Sequence, residues 1–509
     1  MTRRLALIAS FVALALLAGC VEPNARWASP RSGRTSSASP GASSPTATVQ
    51  WSPCPDVWKG TLDKAPANVT YDCGTLKVPQ DWAAPDGGKT FDLALVRARA
   101  AGQRDRVGSL LINPGGPGAE GIGYAVYRSV FLPAEIVRRF DIVGFDPRGV
   151  GKSAPVKCFS DADLDANFSA DPDPVSDEAF ANAVAIARRL AQACGEKFGD
   201  LLRLYSTEQT ARDMDAIRAA VGDRQLTYLG YSYGTLLGAV YAQLFPKNVR
   251  ALVLDGAVDP TLPSETSAEQ QAQGFELAFD NFVKWCAATK DRCPIAPDAR
   301  AAVLKALKDA RSTPVRENGR VATAGWVFTA IVSSLYSQAG WPILANAIDQ
   351  LAKGRATGVF LLADSYADRG QDGHFSNLFD ANATINCTDD DHPDTVERIR
   401  TLQSQWRAKY PLFGAPIALN LICAQWPGKH DPYPAGPATG APPIVVVGTT
   451  GDPATPYEQS FALARMLGVG KVVTWRGEGH TAYPKTSCVT DAVNRYLVDL
   501  KVPADNLTC

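Results

Sequence analysis

The sequence predicts an α/β fold, with a mainly parallel central sheet flanked by helices and an inserted helical cap domain. Three observations predict it. Short runs rich in Val, Ile and Leu alternate with segments of helical periodicity; about 180 residues between two of those runs read as helix almost throughout; and one strand passes into a helix through the tight turn GYSYGT at 230–235. With 46% hydrophobic and 20% charged residues among 509, the chain has the material for a large core and fits neither a disordered nor a fibrous class. Lys plus Arg total 51 against 52 Asp plus Glu, so no whole-chain field draws in nucleic acid.

The N-terminus reads as an export signal. MTRR precedes the apolar run LALIASFVALALLAG, which is short for a membrane span, and then Cys20. Leu17-Ala18-Gly19-Cys20 resembles a bacterial lipobox, in which the cysteine thiol is lipidated and becomes the mature first residue, giving membrane attachment at the outer face of the cytoplasmic membrane; secretion after nearby cleavage is the alternative. Residues 21–50, rich in Ser, Pro, Ala, Thr and Gly, read as a disordered tether. With Cys20 set aside, ten cysteines remain, an even number that favours disulfides in an exported chain. The neighbours Cys286 with Cys293 and Cys488 with Cys509 are the least costly pairs, and the remaining connectivity stays open. The absence of any C-x-x-C and a total of four histidines speak against zinc.

The strand runs are FDLALVRA (91–98), VGSLLIN (107–113), FDIVGFD (140–146), LTYLG (226–230), ALVLD (251–255), IVVVG (444–448) and KVVTW (471–475). Helical patterns at 207–221 and 457–467 separate some of them, as a parallel sheet covered on both faces requires. The long helical stretch includes 269–288 and 326–354, too long for a loop, and lies where open α/β sheets place their ligands. The resulting division is a signal peptide at 1–19, a lipidated N-terminus and tether at 20–50, the core at 51–260 and 436–509, and the cap at 261–435.

G-x-S-x-G between a strand and a helix is a nucleophile elbow: the glycines tolerate the crowding of a sharp turn, and Ser232 is held in a strained backbone with its Oγ exposed. A serine hydroxyl near neutral pH needs a base, and the base an acid to orient it. His480, in GEGH just past the last strand run, stands where the chain order serine, acid, histidine requires; His374, His392 and His430 fall in polar loops of the cap. Asp452 in GDPATP, directly after IVVVG, is the expected acid, with Asp255 in VLDG as the competitor and a structural turn residue otherwise. Thr455-Pro456-Tyr457-Glu458 reads as a capping box that would fix the Asp452 loop. The oxyanion hole is expected from the Tyr233 N–H at the helix start and from the glycine turn NPGGPG, where Gly115 and Gly116 let backbone approach the anion and Pro117 stiffens the turn. That turn lacks the G-x-x-x-x-G-K-[ST] pattern of a phosphate loop.

Taken together, NPGGPG, FDPRGVGKS, GYSYGT, GDPATP and GEGH resemble the proline iminopeptidase and tripeptidyl aminopeptidase group of α/β-hydrolase serine peptidases, in its exported actinobacterial branch, over residues 55–509. The resemblance implies an α/β-hydrolase fold, removal of short peptides from free N-termini of peptide or protein substrates, and Asp146 and Arg148 as braces of the oxyanion loop. Such an aminopeptidase must hold a substrate ammonium, for which Glu120, Glu265, Glu276 and Asp389 are candidates, Glu120 and Asp389 foremost. The acidic run Asp389 to Asp394 lacks full EF-hand spacing and reads as a solvated loop rather than a Ca²⁺ site. The triad calls for no metal and no organic cofactor. A carboxylesterase or lipase would use the same three residues, and a catalytically silent envelope binding protein is the reading furthest from these motifs. Nothing in the sequence sets an oligomeric state.

Overall fold

A computed structural model describes residues 48–54, 68–390 and 392–509. The expected signal peptide, Cys20 and most of the expected tether lie outside the described residues. Among the described residues ten strands form one sheet: β1 (Ser52–Pro53), β2 (Val69–Pro79), β3 (Thr90–Ala100), β4 (Gly108–Asn113), β5 (Phe140–Phe145), β6 (Leu226–Tyr231), β7 (Val249–Asp255), β10 (Ile444–Gly451), β11 (Gly470–Glu478) and β12 (Leu507–Thr508). β8 (Val315–Glu317) and β9 (Arg320–Ala322) make a separate hairpin. The sheet order is β1-β2-β3-β5-β4-β6-β7-β10-β11-β12. It is parallel from β5 through β12, while β1, β2 and β3 pair antiparallel and β3 joins β5 antiparallel.

The parallel strands are apolar on both faces because helices cover both, and the two-residue alternation divides them between two cores. Tyr228, Leu252, Leu254 and Val446 face one layer, whose helices include Thr207–Ala220 and Tyr233–Leu244. Leu229, Tyr231, Val253, Val445 and Val447 face the other, with helices Gly121–Phe131 and Ser487–Asp499. All seven predicted strand runs lie in this sheet. β2 was missed: paired along its length with β3 at the edge, VTYDCGTLKVP is mostly half-buried and interrupted by Cys and Gly, so it carries little apolar signal.

Between β7 and β10 the chain is helical from Ser264–Ala288 to Gly414–Ala418, apart from the β8–β9 hairpin. These helices enclose a separate core in which Phe275, Phe279, Phe282, Trp341 and Phe413 are buried together. Phe159, Leu164, Phe168, Leu190 and Leu202 belong to the same core, so segment 159–202, placed by the 51–260 boundary in the first part of the sheet domain, packs with the cap instead. Helix Asp177–Phe198 shows the reason. Its apolar stripe states that one face is covered, and the pattern is silent on which layer covers it.

The ten cysteines pair as Cys54–Cys73, Cys158–Cys194, Cys286–Cys293, Cys387–Cys423 and Cys488–Cys509, including both neighbour pairs expected from spacing.

Candidate active site

The site stands at the carboxyl ends of β4, β6, β7, β10 and β11, beneath the cap. Ser232 follows β6 with φ 56° and ψ −126°, a conformation that costs a non-glycine residue about 1–3 kcal/mol and persists only where its surroundings enforce it. Here its N–H donates to the Asp255 carbonyl oxygen at 2.9 Å, and helix Tyr233–Leu244 begins at the next residue. Gly115 shows how closely the oxyanion turn abuts this elbow. A Cβ there would meet Tyr231 O at 2.4 Å and Ser232 Cβ at 2.9 Å. Asn113 Oδ1 accepts from Gly115 N at 2.9 Å and shapes the turn from within. Gly116 and Tyr233 line one cavity with Ser232, and the Tyr233 N–H, in the first turn of its helix, has no intrahelical acceptor.

Asp452 and His480 are joined directly: Nδ1 lies 2.9 Å from both carboxylate oxygens. Burial alone would raise the Asp452 carboxyl, but the adjacent imidazole and the amides of Ala454 and Thr455, both 2.9 Å from Oδ1, hold it below its ordinary value. The Thr455 hydroxyl donates to Asp452 Oδ2 at 3.0 Å and lies 3.3 Å from His480 Nδ1. This corrects the capping-box expectation. The helix starts at Glu458, its N-cap Tyr457 makes no side-chain cap bond, and the threonine serves the carboxylate because the loop turns Asp452 back over it. His480 Nε2 is buried and has no hydrogen-bond partner among the described residues, with Ser232 and His480 lining the same cavity. Such a contact commonly closes only when substrate is bound.

Asp255, the competing acid, accepts the amides of Ala482 and Tyr483 at 2.8–3.0 Å, and burial pushes its carboxyl up to about 6. It holds the histidine loop rather than the imidazole. Asp146 accepts Ile122 N at 3.1 Å and Lys152 N at 3.0 Å, bracing the helix that follows the glycine turn. Arg148 does not brace the oxyanion turn: it is fully buried, pairs with both Asp213 oxygens at 2.7 Å, and donates to the carbonyls of Pro79, Gln80 and Leu204. The guanidinium fork reaches away from the site toward the β2–β3 turn.

The cap supplies contacts that the sequence did not announce. Tyr336 accepts His480 N at its carbonyl oxygen, 2.8 Å, and its ring stands edge-on to the imidazole with centroids 5.4 Å apart. Gly479, with φ 100°, is the trace this leaves in GEGH, because a Cβ there would meet Tyr336 O at 2.7 Å. Helix Leu378–Asp389 sits on the oxyanion turn: Asn382 Nδ2 donates to Pro117 O at 2.9 Å, and a Cβ at Gly118 would meet Leu378 O at 2.5 Å.

Among the described residues Ser232 lines two cavities. The smaller, 140 Å³, is lined by Gly116, Tyr233, Asn382, Asn386 and Asp389; the larger, 550 Å³, by Glu120, Tyr124, Asp368 and His480. Glu120 and Asp389 therefore do not share a cavity. Asp389 accepts Thr207 N at 2.9 Å and Thr207 Oγ1 at 2.5 Å, and that hydroxyl is 2.6 Å from Tyr233 Oη. It is half-buried and lines the smaller cavity, and burial pushes its carboxyl up to about 8, with Asp431 and Asp390 adding to the rise. Glu265 is paired with Arg398 at 2.8 Å, and Glu276 accepts the amides of Leu412 and Phe413; both are committed to the cap's own structure. His374 pairs with Asp161, His430 Nδ1 lies 3.0 Å from Cys387 O, and His392 N donates to Asp390, all apart from the triad.

A family model described as alpha/beta hydrolase fold matches residues 108–483. Over the whole chain and 98% of its own length, the Mycobacterium tuberculosis protein named Serine protease Hip1 is 37% identical. Carboxylesterase B of the same species is 37% identical over 92% of this chain and 91% of its own. Tripeptidyl aminopeptidase of Streptomyces lividans is 32% identical over 91% and 86%.

Proposed function

Because the chain belongs to the alpha/beta hydrolase family, we propose that it is an exported serine peptidase that releases short peptides from free amino ends. Ser232 Oγ attacks the scissile carbonyl as His480 Nε2 takes its proton; Asp452 holds the imidazole in the tautomer that leaves Nε2 free to accept. The Gly116 and Tyr233 amides receive the oxyanion, the imidazole returns the proton to the departing amine, and water then cleaves the acyl-enzyme. The observation that carries the reading is the Asp452–His480 pair at 2.9 Å, with Nε2 unpartnered among the described residues and His480 lining the cavity that Ser232 also lines.

Asp389 is the residue we assign to the substrate ammonium. It faces the cavity that contains both oxyanion donors, and a cation relieves the cost of its burial. Lipid attachment at Cys20, and hence a place on the outer face of the cytoplasmic membrane, is part of the proposal and rests on the sequence and on the disulfides that an oxidising compartment permits. Carboxylesterase activity through the same triad is the second reading, favoured by the relative named Carboxylesterase B.

The test compares tripeptide anilides carrying free and N-acetylated amino ends with short acyl esters, using purified mature protein. Preference for the free end by tenfold or more in kcat/KM is the expected result. Equal rates on blocked and unblocked peptides, with esters far faster, would place the enzyme among the esterases.

A further inference from the structure

The larger cavity has no role in holding the substrate amine on this reading, yet the catalytic base shares its lining with a carboxylate, Glu120, that makes no ion pair among the described residues. Resting on the triad assigned above, we propose that this cavity receives the departing half of the substrate and that Glu120 selects a cationic side chain, of lysine or arginine type, on its first residue.

The side follows from the chemistry of the imidazole. The nitrogen that leaves must take its proton from His480 Nε2, and His480 lines the larger cavity but not the smaller. Within that cavity Glu120 occupies the N-cap of helix Gly121–Phe131 without capping it; the nearby Ile122 amide donates to Asp146 instead. No hydrogen bond or ion pair reaches the Glu120 carboxylate among the described residues, although a Cβ at Gly151 would lie 3.0 Å from its Cγ. Burial and the neighbouring Asp146 push it up to about 7; Lys152 pulls against that rise but is not among the residues that line the cavity.

Arg128 and Lys485, the cations of the same wall, are engaged with groups other than Glu120. Arg128 donates to Tyr124 Oη at 2.7–2.9 Å and lies over the Tyr231 ring at 4.6 Å. Lys485 donates to the carbonyl oxygens of His480 and Thr481 at 2.7–2.8 Å. Asp368, exposed and left-handed at the end of helix Thr357–Ala367, adds a second negative charge to the cavity lining. Tyr124 and Tyr127 offer aromatic surface to an alkyl stem or a guanidinium.

Acyl transfer isolates this subsite from everything that holds the acyl half. The protein is acylated with a p-nitrophenyl ester, and amines compete with water for the acyl-enzyme. The α-amine nitrogen attacks the ester carbonyl, the new C–N bond forms as the C–Oγ bond breaks, and the amine proton passes through His480 to Ser232 Oγ. Lysinamide should partition into product about tenfold better than norleucinamide, whose side chain keeps the four-carbon stem without the charged terminus, and Glu120→Gln should bring the ratio to within about twofold of one. The ratio is read within each enzyme, so a change in overall rate does not obscure it. Glu120→Lys should favour glutamate-derived amides instead, and Asp368→Asn should lower the lysine preference only partly. A wild-type ratio near one, or a preference that survives Glu120→Gln, overturns the proposal. Because simple esters acylate the serine whether or not the enzyme is a peptidase, a failed aminopeptidase assay beside an intact lysine preference would reject the peptidase reading alone.

Discussion

The sheet ends and the cap meet at Ser232 but contribute in different ways. On the sheet side each reacting group is set by contacts within a few residues of a strand end: the elbow by the Asp255 carbonyl, Asp452 by the amides of its own loop, the histidine loop by the Asp255 carboxylate. On the cap side the groups reach the site across long sequence separations: Tyr336 to His480, Asn382 to Pro117, Thr207 to Asp389. The difference teaches that chemistry here is built into turns, whereas recognition is built from docking. Mutations should separate the two.

The largest effect should come from the sheet side. Ser232→Ala should keep the thermal midpoint within a few degrees and lower kcat by about 10⁶-fold, as loss of a triad nucleophile does, while leaving binding of an uncleaved tripeptide intact. Asp389→Asn is the complementary break. It should raise KM for free-amino peptides by about 10- to 100-fold, the worth of a charged hydrogen bond, and leave ester hydrolysis unchanged. If both kinetic constants fell together on both substrate classes, the division between regions would fail. Tyr336→Ala straddles the boundary and should lower kcat by about tenfold on peptides and esters alike, because the imidazole loses its edge-on neighbour while the backbone carbonyl remains.

The smallest effect sharpens the comparison through pH. Free Asp389 is held neutral below about 8, and an ammonium beside it favours the carboxylate, so binding releases a proton. KM for free-amino peptides should therefore fall several-fold as pH rises from about 6 to 8 and stop falling once the substrate amine itself titrates near 8. Asp389→Asn should flatten that slope.

What the sequence disclosed follows the same line. The elbow, the acid loop, the base and the oxyanion turn could be read because each needs glycines or a strand end within a few residues, and such needs are written locally. The capping box misled because Thr455 has one hydroxyl and two local uses, and only the folded loop shows that it serves Asp452. Arg148 misled because a guanidinium in a turn says nothing of the direction in which its fork reaches. Tyr336 left no mark of its own beyond the glycine its carbonyl demands at 479. Among four carboxylates offered for the substrate amine, ion pairing and amide contacts removed two, and those partners lie about 130 residues away in sequence.

One fastening has a mechanical corollary. Since the cap holds the main chain of the proton-carrying residue through the Tyr336 carbonyl, lifting the roof would take away one of the contacts that set the base. The roof thus shares in setting the base that the sheet holds through Asp452 and Asp255, and a folded neighbour is exposed to the serine only to the extent that a loose chain end can thread itself beneath that roof.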